Sequence, residues 1–281
     1  MSRSFILPPS LGYAKAQSRA ELVESAFLRQ LDEPVTARVA KSYTELEEQI
    51  NSGKAELAWA PTAVCARVLY ARAVFTIVRQ GQPSYRSALV TRRGSGIGMD
   101  TLQGSKAVWV DPLSAGGYLL AASMLRAESR DPDMVFASQA FLGSHRATIE
   151  AVLHGEADVC AVSIIETDPA SITARLRWYA GPTGDRLEVI AFTERCLNDA
   201  LVLTTALSKG DAERIVNKLI PVTRGEWARS RILSALEADG LMQTELVDYQ
   251  KLLSRLTPPP SAEKIMASAA SRKTMPPPRG R

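Results

Sequence analysis

The chain has 281 residues, which is enough to bury a large core, either as one two-lobed unit or as two domains. Its net charge is only +4, from 34 basic and 30 acidic residues, and aromatic residues make up 6% of it. A charge this small, with no basic run interleaved with aromatic residues, argues against a nucleic-acid-binding surface.

The N-terminus has only three consecutive apolar residues, at positions 5–7, before two prolines. A secretory signal needs an apolar run of about 7–15 residues, and a membrane-spanning helix needs about 18, so neither is predicted. Three cysteines without metal-like spacing are expected to be reduced and buried: Cys65, Cys160 and Cys196. The sequence therefore predicts a cytoplasmic protein, or a periplasmic one if the N-terminus is truncated.

Hydrophobic periodicity predicts strands and helices that alternate along most of the chain, which indicates mostly parallel α/β sheets. The predicted strands lie at 5–7, 35–40, 74–78, 88–91, 107–110, 134–137 and 187–192. The predicted helices lie at 18–31, 61–71, 118–128, 166–176, 212–219 and 228–256, the last one broken near Gly240. The first of these helices is expected to begin with a capping box at 18–21.

A short segment occurs twice, and the two copies lie 102 residues apart. Ser42 opens a helical pattern that ends at Gly53, and Ser144 opens a second one that ends at Gly155. Each copy is typical of an N-capping serine, about three turns of helix, a glycine stop and a buried strand. The repetition predicts two similar lobes with a ligand cleft between them, although chance duplication is an alternative.

The repeat and the breaks in the pattern suggest how the chain is divided. We expect the first lobe to comprise residues 1–92 and 190–256, and the second lobe to comprise residues 93–189. A glycine-rich stretch at 94–98 would carry the first crossover, and the strand at 187–192 would return to the first lobe. Residues 257–281 are rich in proline and basic residues and are predicted to be a disordered tail.

A loop of small residues follows the predicted strand at 107–110. It runs Asp-Pro-Leu-Ser-Ala-Gly-Gly, with Ser114, Ala115 and Gly116 just before a helix. Small residues let a ligand approach the backbone, and the free N–H groups at a helix start attract an anion. An ordinary strand-to-helix turn is the alternative interpretation.

His145 follows Ser144 at the repeat position that Tyr43 occupies in the first copy. Equivalent residues of two lobes would face each other across the cleft, where both could form a hydrogen bond with an oxyanion. The alternative is that this histidine is an ordinary surface or core residue. No metal site or cofactor is predicted, because the two histidines are nine positions apart on a helix, which is not a chelating spacing.

Four acidic residues near these segments are less informative. Glu56 and Asp158 occupy the same repeat position before a strand, and a structural role is expected for both. Glu166 and Asp199 could meet a cationic group of a ligand, but we expect them on solvated faces.

These motifs resemble those of the phosphate, phosphite and phosphonate substrate-binding proteins of bacterial ABC transporters, which have the type 2 periplasmic-binding-protein fold. The resemblance covers residues 4–250, through the stretches 43–62, 85–91, 96–104, 110–118 and 143–158. It implies a two-lobed α/β fold with two hinge crossovers. It also implies that an oxyanion is held by the residues at the matching positions: Tyr43, Tyr85, Ser114, Ala115, Gly116 and His145.

The loop departs from the pattern of the family it resembles. That pattern is typically Ser-Thr-Ser, whereas this chain has Ser114, Ala115 and Gly116, which lack two hydroxyl donors. A hydrogen bond to a charged group contributes about 1.5–3 kcal/mol, so the loss could weaken binding by two or more powers of ten. Either the ligand differs or the binding capacity is reduced.

Three functions are consistent with the sequence. The first is a non-catalytic binding protein for a small phosphonate-like or phosphate-like anion. Without an export signal it would be a cytoplasmic sensor or regulatory subunit, which could contact a partner through its tail or its closed lobes. With a missing signal it would be the periplasmic component of a transporter. The second is a cytoplasmic enzyme of the same fold, with His145 as its acid or base. The third is an interaction module that has lost its ligand.

Overall fold

Two β-sheets form the core of the structure, and helices pack against them. The computed structural model describes residues 2–9, 13–223 and 230–257. The strands are β1 (Arg3–Leu7), β2 (Val35–Val39), β3 (Leu57–Ala60), β4 (Ala71–Val78), β5 (Ser84–Arg92), β6 (Lys106–Trp109), β7 (Ser138–Phe141), β8 (Val159–Ile164), β9 (Leu187–Phe192), β10 (Cys196–Leu197), β11 (Ala200–Thr204) and β12 (Gly240–Thr244).

Most helices are short, and several begin directly after a strand. They are α1 (Tyr13–Leu31), α2 (Tyr43–Asn51), α3 (Thr62–Cys65), α4 (Leu120–Ala127), α5 (Pro132–Val135), α6 (His145–His154), α7 (Pro169–Ala180), α8 (Lys209–Thr223), α9 (Arg231–Ala235) and α10 (Leu246–Gln250). A π-helical turn at Ala115–Leu119 leads into α4, and 3-10 turns cover Met99–Thr101 and Gly181–Arg186. None of the helices in the described ranges is long and apolar enough to span a bilayer.

The chain passes between the two sheets twice. The first sheet has the strand order β12-β4-β11-β3-β1-β2, and the second has the order β10-β5-β8-β6-β7, with β9 also paired to β5. The chain leaves the first sheet after β4 and returns to it at β11. The predicted fold class, a two-lobed α/β fold of the type 2 periplasmic-binding-protein kind with two crossovers, is confirmed.

The sheets are mixed, so the expectation of mostly parallel sheets is wrong in this detail. Of the ten strand pairings in the described part of the chain, four are parallel and six are antiparallel. The parallel pairs join strands that are connected by helical crossovers. The antiparallel pairs include β4 with β11 and β5 with β9, because one strand of each pair runs toward the hinge and the other returns from it.

The crossovers lie at other positions than the sequence predicted. The whole of β5 belongs to the second sheet, although residues 1–92 were assigned to the first lobe. β9 and β10 also belong to the second sheet, although residues 190–256 were assigned to the first lobe. The hinge segments are therefore residues 79–83 and 198–199. The first of them is a tight turn, with positive φ at Gln80 and Gly81. The hydrophobic pattern of the sequence does not distinguish this hinge from the turn of an ordinary β-hairpin.

Several helix predictions also need correction. α1 begins at Tyr13, and the hydroxyl of Ser18 donates to the carbonyl of Ala14 instead of capping the helix. The helix expected at 61–71 is limited to α3, and the strand expected at 134–137 falls on α5, directly before β7. The region 228–256 contains α9, β12 and α10, so a strand was missed there. The tail prediction for 257–281 lies outside the described residues from 258 onward.

The duplicated segment has the predicted local structure in both copies. Ser42 and Ser144 accept hydrogen bonds from backbone N–H groups in the first turns of α2 and α6. Gly53 and Gly155 end these helices with φ values of 71° and 75°, which glycine adopts without strain.

The acidic residues of the repeat have matching structural roles, as expected. The Glu56 carboxylate accepts a hydrogen bond of 2.9 Å from the Ser4 backbone N–H at the start of β1. The Asp158 carboxylate accepts one of 2.8 Å from the Lys106 backbone N–H at the start of β6. Each carboxylate therefore fastens the strand that follows it to the neighbouring parallel strand of its own sheet.

Candidate functional site

A cavity of about 450 Å³ lies between the two sheets. It is lined by side chains of both sheets, of the helices that pack against them, and of the hinge. All six residues singled out in the sequence line it: Tyr43, Tyr85, Ser114, Ala115, Gly116 and His145. Four separate segments of the sequence therefore converge on one cavity, whose size is within the usual range for a small-molecule site.

The loop after β6 presents a helix start to this cavity. The Ser114 hydroxyl accepts a hydrogen bond of 3.1 Å from the Gly117 backbone N–H, and it thereby caps the π-helical turn. The first N–H groups of a helix have no acceptor within the helix, and here they belong to Ala115 and Gly116. A hydroxyl that accepts can still donate its own proton, so Ser114 retains one donor for a ligand.

Close packing explains why the loop has no side chain at Gly116. A Cβ at this position would lie 3.0 Å from both Ser163 Cβ and Tyr85 Cε2. The Gly116 carbonyl is held by the Ser87 hydroxyl at 2.7 Å. The backbone therefore lies directly against its neighbours, and a hydroxyl-bearing side chain would displace one of them.

His145 is the first residue of α6 and is only 8% exposed. Burial and, to a smaller extent, the positive charge of Arg175 lower its pKa, and a hydrogen bond with the Ala161 backbone raises it; the net pKa is about 4. The imidazole is therefore neutral at physiological pH. Within the described part of the chain its buried Nδ1 has no hydrogen-bond partner. A neutral imidazole has one donor and one acceptor for a ligand or for its surroundings.

The hydroxyl of Tyr85 is available to a ligand. Burial raises the pKa of Tyr85 well above the usual value, so the hydroxyl keeps its proton. The Thr62 hydroxyl is 3.4 Å from it and donates its single proton to the Leu197 carbonyl at 2.7 Å. A separation of 3.4 Å is long for a bond between hydroxyls, so the Tyr85 proton is only weakly engaged.

Tyr43 lies where the two lobes touch. It is 3% exposed and is the first residue of α2. Burial raises the pKa of Asp111, in the loop of the second lobe, and hydrogen bonds from the backbone N–H groups of Leu113 and Tyr43 partly offset this. The helix start of the first lobe is thus bonded to a carboxylate of the second lobe.

Asp199 belongs to the cavity and is not on the solvated face that the sequence suggested. Arg79 Nη1 and Nη2 donate to its two carboxylate oxygens at 2.8 and 3.0 Å, and Trp59 Nε1 also donates to it. Burial disfavours its charged form, but the Arg79 charge and these hydrogen bonds outweigh that and hold its pKa below the usual value. Glu166 does not line the cavity and lies 3.9 Å from Arg195.

Sequence reasoning missed a second group of cavity residues, on β8 and α7: Ser163, Arg175, Trp178 and Tyr179. The pattern predicts α7 as a helix, but it does not indicate which face meets the cavity. Arg175 and Tyr179 are four positions apart and therefore share a face. No group of three or more metal-ligating side chains occurs in the described ranges.

The sequence model of one protein family matches residues 5–249, and that family is described as the periplasmic substrate-binding protein of a phosphonate ABC transporter. The match covers most of the chain, so the chain belongs to this family, and the resemblance seen in the sequence is confirmed. No curated protein sequence matches the chain.

Several solved structures share the fold at low sequence identity. A binding-protein component of an ABC phosphonate transporter from Pseudomonas aeruginosa is 17% identical, with a TM-score of 0.71 over 97% of this chain and 99% of that one. PhnD1 from Prochlorococcus marinus, in complex with methylphosphonate, is 15% identical, with a TM-score of 0.75 over 90% and 96%. XAC2383 from Xanthomonas citri, bound to chloride, is 13% identical, with a TM-score of 0.69 over 94% and 99%.

Proposed function

We propose that this member of the phosphonate substrate-binding family holds the phosphonate group of a small organophosphonate in the cavity between its sheets. The observation that carries the proposal is the convergence on one cavity of six residues that the sequence had already singled out. Binding without chemistry fits the family, whose members are solute-binding components of transporters.

The second lobe would supply most of the contacts to the phosphonate oxygens. The backbone N–H groups of Ala115 and Gly116 and the hydroxyl of Ser114 form one set of donors at a helix start. Tyr85 would add a hydroxyl donor, and the unpartnered Nδ1 of the neutral His145 would accept from a protonated phosphonate oxygen. Neutral donors of this kind suit a charged oxyanion, because each such bond contributes about 1.5–3 kcal/mol.

The first lobe would cover the ligand from the other side through Tyr43. Its contact with Asp111 joins the two lobes beside the loop of residues 111–117, which we call the anion loop. PhnD1, which shares this fold, was solved with methylphosphonate, and this supports a ligand of that size.

The alternative functions have less support. Among the described residues no hydrogen bond joins Ser114 to His145, so the geometry gives no support to a nucleophile with its base. The family description is periplasmic, and membrane components of an ABC transporter would then be the partners. The cytoplasmic sensor role, with a partner contacting the tail or the closed lobes, stays a prediction of the sequence analysis.

Calorimetric titration of the full chain with methylphosphonate, phosphate and sulfate tests the proposal. We expect methylphosphonate to bind, and Ser114→Ala and His145→Ala to weaken its binding by about 10- to 100-fold. His154→Ala is the matched control, because His154 is the exposed last residue of the same helix. If none of the three anions bound, the lost-ligand alternative would be favoured instead.

A further inference from the structure

Most charged side chains that line the cavity are paired with one another, and the exceptions are Arg175 and the exposed Asp239. Three arginines line it, and two of them are paired with acidic residues that also line it. Arg79 pairs with Asp199, and Arg19 pairs with Glu237. Each of these pairs has a net charge of about zero, so it exerts little electrostatic attraction on a charged ligand. The third arginine, Arg175, has no ion pair with a carboxylate in the part of the chain that the structure describes.

Arg175 is held in place by neutral groups. Its Nε donates to the Ser163 carbonyl at 3.0 Å, and its Nη2 donates to the hydroxyls of Ser163 and Tyr179, both at 3.0 Å. Its guanidinium also lies over the rings of Trp178 and Tyr179, at 4.5 and 4.7 Å from their centroids. These contacts fix the orientation of the guanidinium and leave its positive charge uncancelled. None of the hydrogen bonds among the described residues uses its Nη1.

The fixed guanidinium is close to the anion loop. Ser163, to which it is bonded, is the residue against which Gly116 packs, 3.0 Å from the position of a Cβ there. The charge of Arg175 also lowers the pKa of His145, which lines the same part of the cavity. A donor group with a full positive charge therefore lies beside the two groups that the sequence associates with an oxyanion.

The cavity offers little to a cationic group. Asp199 and Glu237 are already paired with arginines. The other acidic residue in the lining, Asp239, is exposed, and it accepts a hydrogen bond of 3.3 Å from the Gly81 backbone N–H. An ammonium group bound inside would have to compete with Arg79 or Arg19 for its carboxylate.

We propose that Arg175 is a ligand-binding residue that donates to the anionic group of the ligand through Nη1. Because Arg175 would repel an ammonium group and the carboxylates of Asp199 and Glu237 are already paired, the site selects phosphonates without an amine over aminoalkylphosphonates. The proposal rests on the proposed function, since it assumes that a phosphonate occupies this cavity. Arg175 would thereby supply a charged donor where Ala115 and Gly116 have no hydroxyl groups.

Calorimetric titration of the full chain tests this with three probes: methylphosphonate, phosphonoacetate and aminomethylphosphonate. The variants are Arg175→Gln, Arg175→Met, which keeps an unbranched chain over the aromatic rings, and Arg175→Lys, which keeps the charge. Arg177→Gln is the matched control, because Arg177 is on the same helix, is exposed, and pairs with Asp185 outside the cavity. Thermal unfolding verifies that each variant folds.

We expect the wild type to bind methylphosphonate and phosphonoacetate, the two probes without an amine, at least about 10-fold more tightly than aminomethylphosphonate. Arg175→Gln and Arg175→Met should weaken binding of these two probes by about 10- to 100-fold and reduce this preference. Arg175→Lys should weaken it less, and Arg177→Gln should stay within about twofold of the wild type.

Three results would overturn the inference. One is equal affinity of Arg175→Gln and Arg177→Gln while Ser114→Ala still weakens binding, which would leave the proposed function intact. Another is an equal loss for all three probes, or equal losses in Arg175→Lys and Arg175→Gln, which would remove the selection by charge. The third is a wild type that binds no probe, which would overturn the proposed function as well.

Discussion

Replacement of Gly117 by alanine tests whether close packing shapes the anion loop. A Cβ at Gly117 would be closest to a γ-methyl group of Val110, and would lie 2.7 Å from Val110 Cβ and 2.8 Å from Ser114 Oγ. Real Cβ contacts are essentially never shorter than 3.0 Å, and Val110 is fully buried, so either the strand end or the loop must shift. Overpacking of this kind costs about 1–3 kcal/mol.

The same substitution should also disturb the cap. The Gly117 N–H donates to the Ser114 hydroxyl, and a displaced loop would lose this bond, which typically contributes about 1 kcal/mol. We therefore expect Gly117→Ala to lower the free energy of unfolding by about 2–4 kcal/mol. We also expect it to weaken methylphosphonate binding, because the donors move.

Urea unfolding and calorimetric titration of the same samples measure both effects. Gly210→Ala is the matched control, because Gly210 lies in α8 with nothing within 4 Å of a Cβ. This control should be neutral or slightly stabilising, by up to about 1 kcal/mol. A Gly117→Ala protein with wild-type stability and wild-type affinity would refute the claim that these contacts determine the loop.

Three further predictions concern charged and titratable groups. Glu33 is 4% exposed, and its hydrogen bond with Arg214 is the largest contribution that lowers its pKa to about 2. In urea unfolding the wild type should therefore lose stability as the pH falls from about 4 toward 2. Glu33→Gln should be about 1–3 kcal/mol less stable at neutral pH and should lose less stability than the wild type in that window, where other carboxylates such as Asp199 still titrate. Asp199→Asn leaves Arg79 without its carboxylate partner. Because both side chains are about a fifth exposed, we expect the free energy of unfolding, measured in urea, to fall by about 1–3 kcal/mol. Adding Arg79→Met should restore most of this free energy. In NMR titration the His145 imidazole should stay neutral down to about pH 5, and a midpoint near the ordinary value of about 6.5 would contradict its burial.

The local structure of the duplicated segment could be predicted because its signals are local. Ser42 and Ser144 are followed three residues later by the N–H groups they accept from, and Gly53 and Gly155 have the positive φ that glycine allows. Caps and stops depend on the residues next to them, so a single sequence contains the information. The same locality made the anion loop recognisable.

The hinge and the missed cavity residues depend on distant parts of the chain. β5 looks like the second strand of a hairpin after β4, and its place in the other sheet is decided by its pairing with β8, far along the chain. Arg175 is one of many arginines in the sequence, and its position follows from how α7 packs against β8. Periodicity predicts that a helix exists, but it cannot show which of its polar side chains enters a cavity.

The two copies of the repeat have diverged in what their helix starts contact. In the first lobe, α2 begins at Tyr43, whose backbone N–H is bonded to Asp111 of the second lobe. In the second lobe, α6 begins at His145, which is kept neutral and lies near the uncancelled charge of Arg175. Of the six predicted residues only Tyr43 belongs to the first lobe, since Tyr85 lies on β5. We infer that the second lobe carries most of the contacts to an anion, while the first lobe closes over it.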